Sequence, residues 1–478
     1  MKLGDIFDTC PDGSEHLTIT GMTADSRKVE QGFVFAALRG VAADGRDFIP
    51  QAIEQGATAV LGHDLPTGLP VAAIEVSEPR LALAEAAARF YPRQPETIVA
   101  ITGTNGKSST VDFLRQIWAA SGRKAASMGT LGAIGPGGTI DLGHTTPDPV
   151  AIHETLQTLA NDGVTHAAME ASSHGLVQYR LDGVRLAAGA FTNLTQDHLD
   201  YHPTFEDYRA AKLRLFTELL PKGAPVVINA DSDEKAAFED AARAAGLEVV
   251  SVGWRGADLK ISELMPKATS QKLFLSWRGE DAEIDLPLIG EFQALNSLTA
   301  AGLALALGDS FTDVARGMTA LEPVKGRMEF VGETGDGAGV FVDYAHTPDG
   351  LDTLLRAARP HTAGKLVLVF GAGGDRDPYK RPLMGEVAAR HADEIIVTDD
   401  NPRTEDPTGI RQAILAAANG ADDIGDRGDA IMEGVRRLTA GDTLLIAGKG
   451  HETGQIVGDT ILPFSDQETA LKALEAAA

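Results

Sequence analysis

The chain has 478 residues, and this length predicts about three domains at ~150 residues each. Acidic residues number 68 against 42 lysines and arginines, and the net charge of −26 argues against nucleic acid or an acidic membrane surface as a partner. A single cysteine excludes an internal disulfide framework, and no run approaches the ~18 apolar residues of a membrane span. We therefore expect a cytoplasmic protein without membrane insertion.

The first 93 residues are predicted to form a small α/β domain. Strand-like segments at 33–38 and 57–61 flank a helical segment at 49–55. Two prolines within residues 91–95 indicate a linker. The first predicted domain is therefore 1–93.

Apolar strands alternate with amphipathic helices from residue 94 to residue 325. The candidate strands are 98–101, 167–169, 188–191 and 226–228. This alternation predicts a central domain with a mostly parallel sheet and crossover helices. Polar residues follow the C-terminal ends of these strands, where ligands of open α/β sheets bind.

Residues 326–478 repeat the α/β pattern in a third predicted domain. Its candidate strands are 340–342, 366–370, 395–397 and 444–446. The glycine-rich segment 371–376 is similar to a dinucleotide-binding fingerprint, but Arg376 stands where the third glycine belongs. We expect a Rossmann-like domain that does not bind NAD.

A glycine-rich loop follows the first central strand and precedes a predicted helix at 109–120. Its residues are Gly103, Thr104, Asn105, Gly106, Lys107, Ser108 and Ser109. In such a loop backbone N–H groups approach phosphate oxygens, the lysine reaches the terminal phosphates and the serine hydroxyl binds Mg²⁺. The full pattern would start with a glycine at the position of Ile101, so this loop is a shortened variant. The alternative is an ordinary strand-to-helix turn, and the motif favours ATP binding.

Further polar residues follow the neighbouring strands. Glu170 ends the second strand, where a carboxylate is well placed for Mg²⁺. The third strand leads to a dense polar segment that includes His198 and His202, for which a satisfied polar loop is the alternative. One helix later comes Lys212, which taken alone would be a lysine on a helix face.

Together these motifs resemble the ATPase core of the Mur ligases. The segments that carry the resemblance are 103–108, 170–175, 197–202, 211–212, 326–329 and 343–348. They occur in the family's order and, with motifs from residue 26 to residue 455, cover essentially the whole chain. One departure is Gln293, where the family commonly has asparagine.

Within the family, the chain is similar to the ligases that add the third residue to UDP-N-acetylmuramoyl-L-alanyl-D-glutamate. The resemblance implies a UDP-sugar peptide site at Ser26, Asp44, Gly45, Thr145, Thr146, Ser172, Gln178 and Arg180. It implies a meso-2,6-diaminopimelate site at Arg376, Asp400, Asn401, Pro402, Arg403, Gly448 and Glu452. Arg403 supplies a guanidinium for the distal carboxylate that lysine lacks.

The resemblance also implies the catalytic machinery of an ATP-dependent amide ligase of peptidoglycan synthesis that works through an acyl phosphate. The implied catalytic residues are Lys107, Glu170, His198, Lys212 and Arg327, and the further nucleotide contacts are Asn296 and His346. The implied Mg²⁺ ligands are Ser108, Glu170, His198 and Lys212, the last as an N6-carboxylysine. With Arg327 supplied by the third domain, closure of that domain would be a condition for chemistry. We expect a monomer that uses ATP, the UDP-linked dipeptide and diaminopimelate.

Three alternatives remain at this point. An L-lysine-adding Mur ligase differs only in the amino-acid pocket. A folylpolyglutamate synthase shares the loop and the acyl phosphate but gives no reason for Thr145, Thr146 or a uridine-type first domain. A P-loop regulatory ATPase would need neither a second substrate site nor a third domain rich in functional loops.

Overall fold

The structure, a computed structural model, describes residues 1–40, 43–195 and 201–477. They form two compact units, one of Met1–Val252 with Gly302–Asp309 and one of Gly253–Ala301 with Ser310–Ala478. Within the described ranges no helix has the length and apolar character needed to cross a bilayer.

The first unit opens with a four-stranded parallel sheet. Its elements are α1 (Leu3–Ile6), β1 (Gly21–Thr23), β2 (Phe33–Ala36), α2 (Ile49–Glu54), β3 (Ala59–Gly62), β4 (Ala72–Glu75) and α3 (Pro79–Phe90). The strands lie in chain order and all pairs are parallel. Buried Leu83, Ala86 and Ala87 share one face of α3 and join the core of this sheet, as expected for an amphipathic helix. The strands and the helix expected in this segment are confirmed.

The rest of the first unit contains the larger sheet. Its elements are β5 (Thr97–Thr102), α4 (Lys107–Ala120), β6 (Ala125–Gly129), β7 (Gly132–Gly135), β8 (Gly138–Ile140), α5 (Pro149–Asn161), β9 (His166–Glu170), α6 (Ser173–Val177), β10 (Leu186–Phe191), α7 (Phe205–Arg214), β11 (Pro225–Asn229), α8 (Lys235–Ala244) and β12 (Glu248–Gly253). Within this unit the strand order is β12-β11-β10-β5-β9-β6-β7-β8. The pairs β6–β7 and β7–β8 are antiparallel and the others are parallel, so only β7 runs opposite to the rest.

The expected parallel strands β5, β9, β10 and β11 are all present. Residues 98–101 of β5 are fully buried, because a central parallel strand is covered on both faces. Since β9, β5 and β10 are adjacent and parallel, their C-terminal ends meet at one edge of the sheet. Helix α7 continues into a π-helical turn at Leu215–Leu219, a feature frequent near functional sites.

The second unit combines an antiparallel meander with a six-stranded sheet. Its elements are β13 (Leu259–Pro266), β14 (Gln271–Trp277), β15 (Glu280–Leu286), α9 (Glu291–Ala306, which begins here), α10 (Phe311–Thr319), β16 (Glu329–Glu333), β17 (Gly339–Asp343), α11 (Pro348–Ala358), β18 (Leu366–Phe370), α12 (Lys380–His391), β19 (Glu394–Val397), α13 (Pro407–Leu415), β20 (Asp422–Asp423), α14 (Arg427–Arg436), β21 (Thr443–Ala447), β22 (Gly454–Val457), β23 (Thr460–Pro463) and α15 (Asp466–Ala477). The six strands follow the order β16-β17-β21-β18-β19-β20, with β16 antiparallel at one edge.

Strand β18 shows how this sheet is covered on both faces. Leu366, Leu368 and Phe370 pack with residues of α11, α12 and α13. The intervening Val367 and Val369 pack with α14 and α15. Alternation with a period of two therefore buries β18 between two helical layers, and the Rossmann-like architecture expected for this segment is confirmed.

A fully buried ion pair connects α15 to the C-terminal ends of β19 and β21. Arg427 bonds Asp466 at 2.7 Å, and both side chains are 0% exposed. The same guanidinium donates to the carbonyl oxygen of Ala447 at 2.9 Å and to that of Asp399 at 3.4 Å. It therefore anchors the points at which the loops after β21 and β19 begin.

Replacing Asp466 with alanine is expected to lower the free energy of unfolding by about 3–5 kcal/mol, because it leaves a buried guanidinium without its counter-charge. Urea titration followed by circular dichroism measures the loss. Arg436→Ala is the matched control, since the Arg436 side chain is 72% exposed and water screens its pair with Glu433, so little stability should be lost. Equal losses for the two variants would contradict a stabilising role for the buried pair.

Candidate functional site

The segment that follows β10 holds the glycine-rich loop between β5 and α4. The backbone N–H of Thr104 donates to the carbonyl of Asn193 at 2.8 Å, and that of Asn105 donates to Asn193 Oδ1 at 2.9 Å. The Thr192 hydroxyl donates to the carbonyl of Asn105 at 2.6 Å. These contacts fix the loop immediately before the N-terminus of α4, whose first N–H groups lack partners within the helix.

Two glycines make the course of this loop possible. Gly103 has φ +154, and a Cβ there would lie 1.9 Å from Thr192 Oγ1. Gly106 has φ +85 directly before α4. Because both positions exclude an ordinary side chain, the loop can lie against the sheet and turn sharply into the helix.

The structure brings Ser108 of this loop to Glu170 at the end of β9. Ser108 Oγ donates to Glu170 Oε1 at 2.9 Å, and Glu170 is only 2% exposed. The same oxygen accepts the backbone N–H of Thr130 at 2.9 Å. A hydroxyl and a carboxylate are hard oxygen donors, so this pair fits Mg²⁺.

No cluster of three or more His, Cys, Asp or Glu side chains suited to a metal occurs in the described ranges. The predicted ligand His198 lies outside the described residues, within 196–200. Of the predicted Mg²⁺ ligands, the structure places Ser108 and Glu170 in direct contact.

Two lysines converge on one carbonyl oxygen of the phosphate loop. Lys107 Nζ donates to the carbonyl of Gly103 at 2.9 Å, and Lys212 Nζ donates to the same oxygen at 2.8 Å. Lys212 is 1% exposed and its Nζ lies 4.5 Å from the centroid of the Tyr208 ring. Lys212 is therefore a buried residue of the loop's surroundings, not a lysine on an exposed helix face.

A hydrogen-bond network connects the Glu170 region to several candidate substrate residues. Thr145 and Thr130 share a hydrogen bond of 3.0 Å between their hydroxyls. Thr146 Oγ1 donates to the carbonyl of Glu170 at 3.0 Å and accepts the N–H of Ser172 at 3.1 Å. The structure thus brings these threonines together at the end of β9.

Arg180 extends this network. Its guanidinium donates to the carbonyl of Thr146 at 2.5 Å and to Gln178 Oε1 at 2.7 Å. Ser172 Oγ accepts the N–H of Gly175 at 3.1 Å and so caps α6. In this structure the hydroxyls of Thr146 and Ser172 serve internal hydrogen bonds.

The remaining candidate UDP-sugar residues lie in the N-terminal part of this unit. Ser26 Oγ donates to Gln51 Oε1 at 3.0 Å. Arg46 holds the pKa of the Asp44 carboxyl at about 2 through a paired hydrogen bond. A Cβ on Gly45 would lie 2.5 Å from the carbonyl oxygen of Leu38. Within the described ranges no hydrogen bond joins Ser26, Asp44 or Gly45 to the Thr146 network.

In the second unit, Gln293 links two predicted nucleotide contacts. Its Nε2 donates to the carbonyl of Arg327 at 2.9 Å, and its Oε1 accepts from Asn296 Nδ2 at 3.0 Å. Gly326 lies so close to the loop after β21 that a Cβ would be 2.2 Å from the nitrogen of His451. Gln293, where the family commonly has asparagine, thus joins α9 to the segment that carries Arg327.

The Arg327 side chain lies over one ring of a small aromatic cluster. The guanidinium carbon lies 4.5 Å from the centroid of the Tyr344 ring. His346 Nδ1 is 2.9 Å from the carbonyl of Tyr344, and the His451 and Tyr344 ring centroids are 5.2 Å apart. Burial and the charges of Arg327 and Lys325 lower the pKa of His451 to about 4, so this imidazole is neutral at pH 7.

The loops after β19 and β21 meet at the candidate amino-acid site. Asn401 Nδ2 donates to Glu452 Oε2 at 2.9 Å. A Cβ on Gly448 would lie 2.5 Å from Asp400 Oδ2, so glycine allows the loops to approach. The structure therefore brings Asp400, Asn401, Gly448 and Glu452 together, while Arg376 lies exposed on the loop after β18.

The backbone of Arg403, which follows Pro402, adopts a left-handed conformation with φ +53, unusual for a residue with a long side chain. Its N–H donates to the carbonyl of Ile456 at 3.0 Å and its carbonyl accepts from Gly458 at 2.8 Å. Its guanidinium donates to the carbonyl of Gly374 at 2.7 Å. Glu405 pairs with Arg381 at 2.9 Å, and no ion pair between Arg403 and Glu405 occurs in the part of the chain that the structure describes.

Sequence reasoning assigned no role to Thr130 or Asn193, and it included Lys449 only as part of the segment 448–452 that resembles an amino-acid pocket, with no role of its own. Each of the three contacts a predicted site residue. Thr130 and Asn193 each follow the end of a strand of the central sheet, which is the signal that could have found them. Lys449 stands beside the predicted Gly448, but a lysine in a glycine-rich loop gives no sign that it is buried.

Three family models match the chain, in sequence order. The model described as the Mur ligase family catalytic domain matches residues 18–91, and the Mur ligase middle domain matches residues 101–304. The glutamate ligase domain of Mur ligases matches residues 326–450.

Curated proteins and solved structures show the same similarity. The UDP-N-acetylmuramoyl-L-alanyl-D-glutamate--2,6-diaminopimelate ligase of Bradyrhizobium diazoefficiens is 54% identical over 96% of this chain and 95% of its own length. The protein of that name from Mesorhizobium japonicum is 53% identical over 99% of each chain. A solved structure of a ligase with this name has a TM-score of 0.76 and 31% identity, over 100% of this chain and 99% of its own. The chain therefore belongs to the Mur ligases, a family of ATP-dependent ligases.

Proposed function

We propose that this chain joins meso-2,6-diaminopimelate to the D-glutamyl carboxylate of UDP-N-acetylmuramoyl-L-alanyl-D-glutamate, with ATP as co-substrate, in peptidoglycan precursor synthesis. The observation that carries the proposal is identity of 54% and 53%, over 96% and 99% of the chain, to two ligases named for this reaction. The proposal includes action in the cytoplasm as a monomer.

The proposed reaction has two steps, because a carboxylate is a poor acyl donor. The γ-phosphoryl group of ATP passes to the D-glutamyl carboxylate, which yields ADP and an acyl phosphate. An amine of diaminopimelate then attacks the acyl carbon, and the tetrahedral adduct expels inorganic phosphate as the amide forms. Phosphoryl transfer of this kind depends on positioning and on charge neutralisation.

The glycine-rich loop supports the first step. Lys107 reaches along the loop to the carbonyls of Gly103 and Thr104, at 2.9 and 2.8 Å, and from there its ammonium can hold the β- and γ-phosphates. The N-terminus of α4 adds backbone N–H groups for the same anion. Asn296, Arg327 and His346 are the further nucleotide contacts in the proposal.

Ser108 and Glu170 are the proposed Mg²⁺ ligands of the described residues, with His198 and carbamylated Lys212 completing the proposed set. Bound Mg²⁺ would neutralise charge on the transferred phosphoryl group. The convergence of the Lys107 and Lys212 ammonium groups on one carbonyl oxygen supports carbamylation, because the modification would replace one of two neighbouring cations with an anion.

The proposed dipeptide site comprises the residues around Thr146 and Arg180 together with Ser26, Asp44 and Gly45. The proposed amino-acid site uses Arg403 for the distal carboxylate, Arg376 for the second carboxylate, and Asp400 and Glu452 for the ammonium group. The guanidinium of Arg403 donates to the carbonyl of Gly374 at 2.7 Å, and this supports a preorganised side chain that loses less entropy on binding.

The three-part division at 1–93, 94–325 and 326–478 is also part of the proposal. It is supported by the order and extent of the family matches at 18–91, 101–304 and 326–450.

ADP release by the wild-type protein is expected to require both the UDP-linked dipeptide and diaminopimelate. Lys107→Ala is expected to reduce this release by about 100-fold or more, because the lysine neutralises phosphate charge in the transition state. A coupled ADP assay measures both effects, and Lys222→Ala, at an exposed lysine, is the control. ADP release without an amino acid would favour a regulatory ATPase, and near-normal turnover of a folded Lys107→Ala protein would remove the phosphate assignment.

Lys212→Ala is expected to lose about 100-fold or more in turnover and to recover part of it with a small added carboxylate, which replaces the carbamate oxygens. Lys212→Arg keeps a positive charge but cannot be carbamylated, so it should be as impaired as Lys212→Ala. A carbamate ¹³C signal after equilibration with ¹³C-bicarbonate measures the modification directly. Full activity of Lys212→Arg, or a wild-type protein without that signal, would contradict carbamylation.

Arg403→Ala is expected to raise KM for diaminopimelate by about 10- to 100-fold, since loss of a charge-assisted bidentate pair costs roughly 1.5–3 kcal/mol. KM for ATP should change little, and Arg436→Ala, at an exposed arginine, is the control. Steady-state kinetics with diaminopimelate and L-lysine provide the measurement. Equal use of both amino acids by the wild-type protein would show that this pocket is wrongly assigned.

A further inference from the structure

A buried lysine lies between the two loops of the candidate amino-acid site. Lys449 follows β21, and its side chain is 0% exposed. Its Nζ donates to Asn401 Oδ1 at 2.9 Å and to Glu452 Oε2 at 3.4 Å, and lies 4.0 Å from Asp400 Oδ1. A buried ammonium needs partners of this kind, and all three of these come from the candidate site.

Lys449 helps to fix the orientation of the Asn401 amide. Asn401 Oδ1 accepts both the Lys449 ammonium and the backbone N–H of Ile456, each at 2.9 Å. With two donors at its oxygen, the amide presents its Nδ2 to Glu452 Oε2, at 2.9 Å. The three side chains therefore form a closed triangle of hydrogen bonds.

This triangle uses only one oxygen of Glu452. Both Asn401 Nδ2 and Lys449 Nζ donate to Oε2, whereas Oε1 accepts no hydrogen bond from the described part of the chain. The Glu452 side chain is 34% exposed. One oxygen is thus held inward, and the other remains available to a ligand.

Two carboxylates lie around the single ammonium of Lys449. Asp400 Oδ1 is 4.0 Å and Glu452 Oε2 is 3.4 Å from Lys449 Nζ. Arg427 is engaged in its own pair with Asp466, and the proposal assigns Arg376 and Arg403 to the carboxylates of the substrate. Around Lys449 the carboxylates therefore outnumber the ammonium, which suits the binding of a second ammonium group.

We infer that Lys449 is a positioning residue for the amino-acid substrate. By holding Asn401 and Glu452 Oε2, it leaves Glu452 Oε1 in place to accept the ammonium group of the incoming diamino acid. It acts through Glu452 and Asn401 and does not touch the substrate. This inference rests on the proposed function, which supplies the substrate.

Kinetics of Lys449→Met test the inference. KM for diaminopimelate should rise about 10-fold or more, because the charge-assisted bonds that orient Glu452 are lost. The values of kcat at saturating diaminopimelate and of KM for ATP and for the UDP-linked dipeptide should stay within about threefold of wild type, since the phosphate loop is unchanged. Lys449→Gln keeps an N–H donor for Asn401 and should recover part of the loss.

A double-mutant cycle separates positioning from general stabilisation. Because Lys449 acts through Glu452, the effects of Lys449→Met and Glu452→Gln on KM for diaminopimelate should be far from additive. Lys365→Met is the control, because Lys365 bonds Glu394 at 2.7 Å with a 61% exposed side chain and should leave all kinetic constants unchanged.

Additive effects in the cycle, or equal increases in KM for all three substrates, would overturn the inference. Should Lys449→Met fail to fold, Lys449→Gln takes its place in the same cycle. Absence of diaminopimelate-dependent ADP release in the wild-type protein would remove the proposed function itself. Wild-type activity together with an unchanged KM in Lys449→Met would remove only the role of Lys449.

Discussion

The candidate site of the first unit depends on the hydrogen bonds that the buried Glu170 carboxylate accepts. A carboxyl group at 2% exposure is stable only if hydrogen-bond donors satisfy its oxygens. Ser108 supplies one from the phosphate loop, and Thr130 supplies another from the end of β6. The carbonyl of the same residue accepts from Thr146. One residue at the end of β9 therefore couples the phosphate loop to the proposed dipeptide site.

In the second unit, buried cations donate the hydrogen bonds that buried acceptors at the sheet edge require. Loops that leave the C-terminal ends of parallel strands expose backbone carbonyls and carboxylates, and these require donors. Arg427 donates to the carbonyls of Asp399 and Ala447. Lys449 donates to the side chains of Asn401 and Glu452 in the loops beyond. In each unit, buried charged side chains thus hold the loops of a candidate site in place at the edge of a sheet.

The sequence predicted the buried parallel strands well, because residues such as 98–101 and 366–370 form continuous apolar runs. It did not reveal the meander of β13–β15, which has no continuous apolar run of this kind, since charged residues such as Lys260 and Asp285 lie between buried ones. Site motifs were recognisable where glycine, lysine and serine have fixed spacing. The burial of Lys212 and Lys449 was not, since it depends on tertiary packing that no local pattern records.

The left-handed backbone at Arg403 limits how substrate preference can change by mutation. Backbone bonds to Ile456 and Gly458 hold this conformation on both sides, whichever side chain is present. β-branched residues would be strained there, whereas glycine, asparagine and aspartate adopt it readily. Few single substitutions of Arg403 therefore preserve this backbone conformation. Those that do replace the guanidinium with glycine or with a short amide or carboxylate side chain, which limits how the enzyme can evolve to use a different amino-acid substrate.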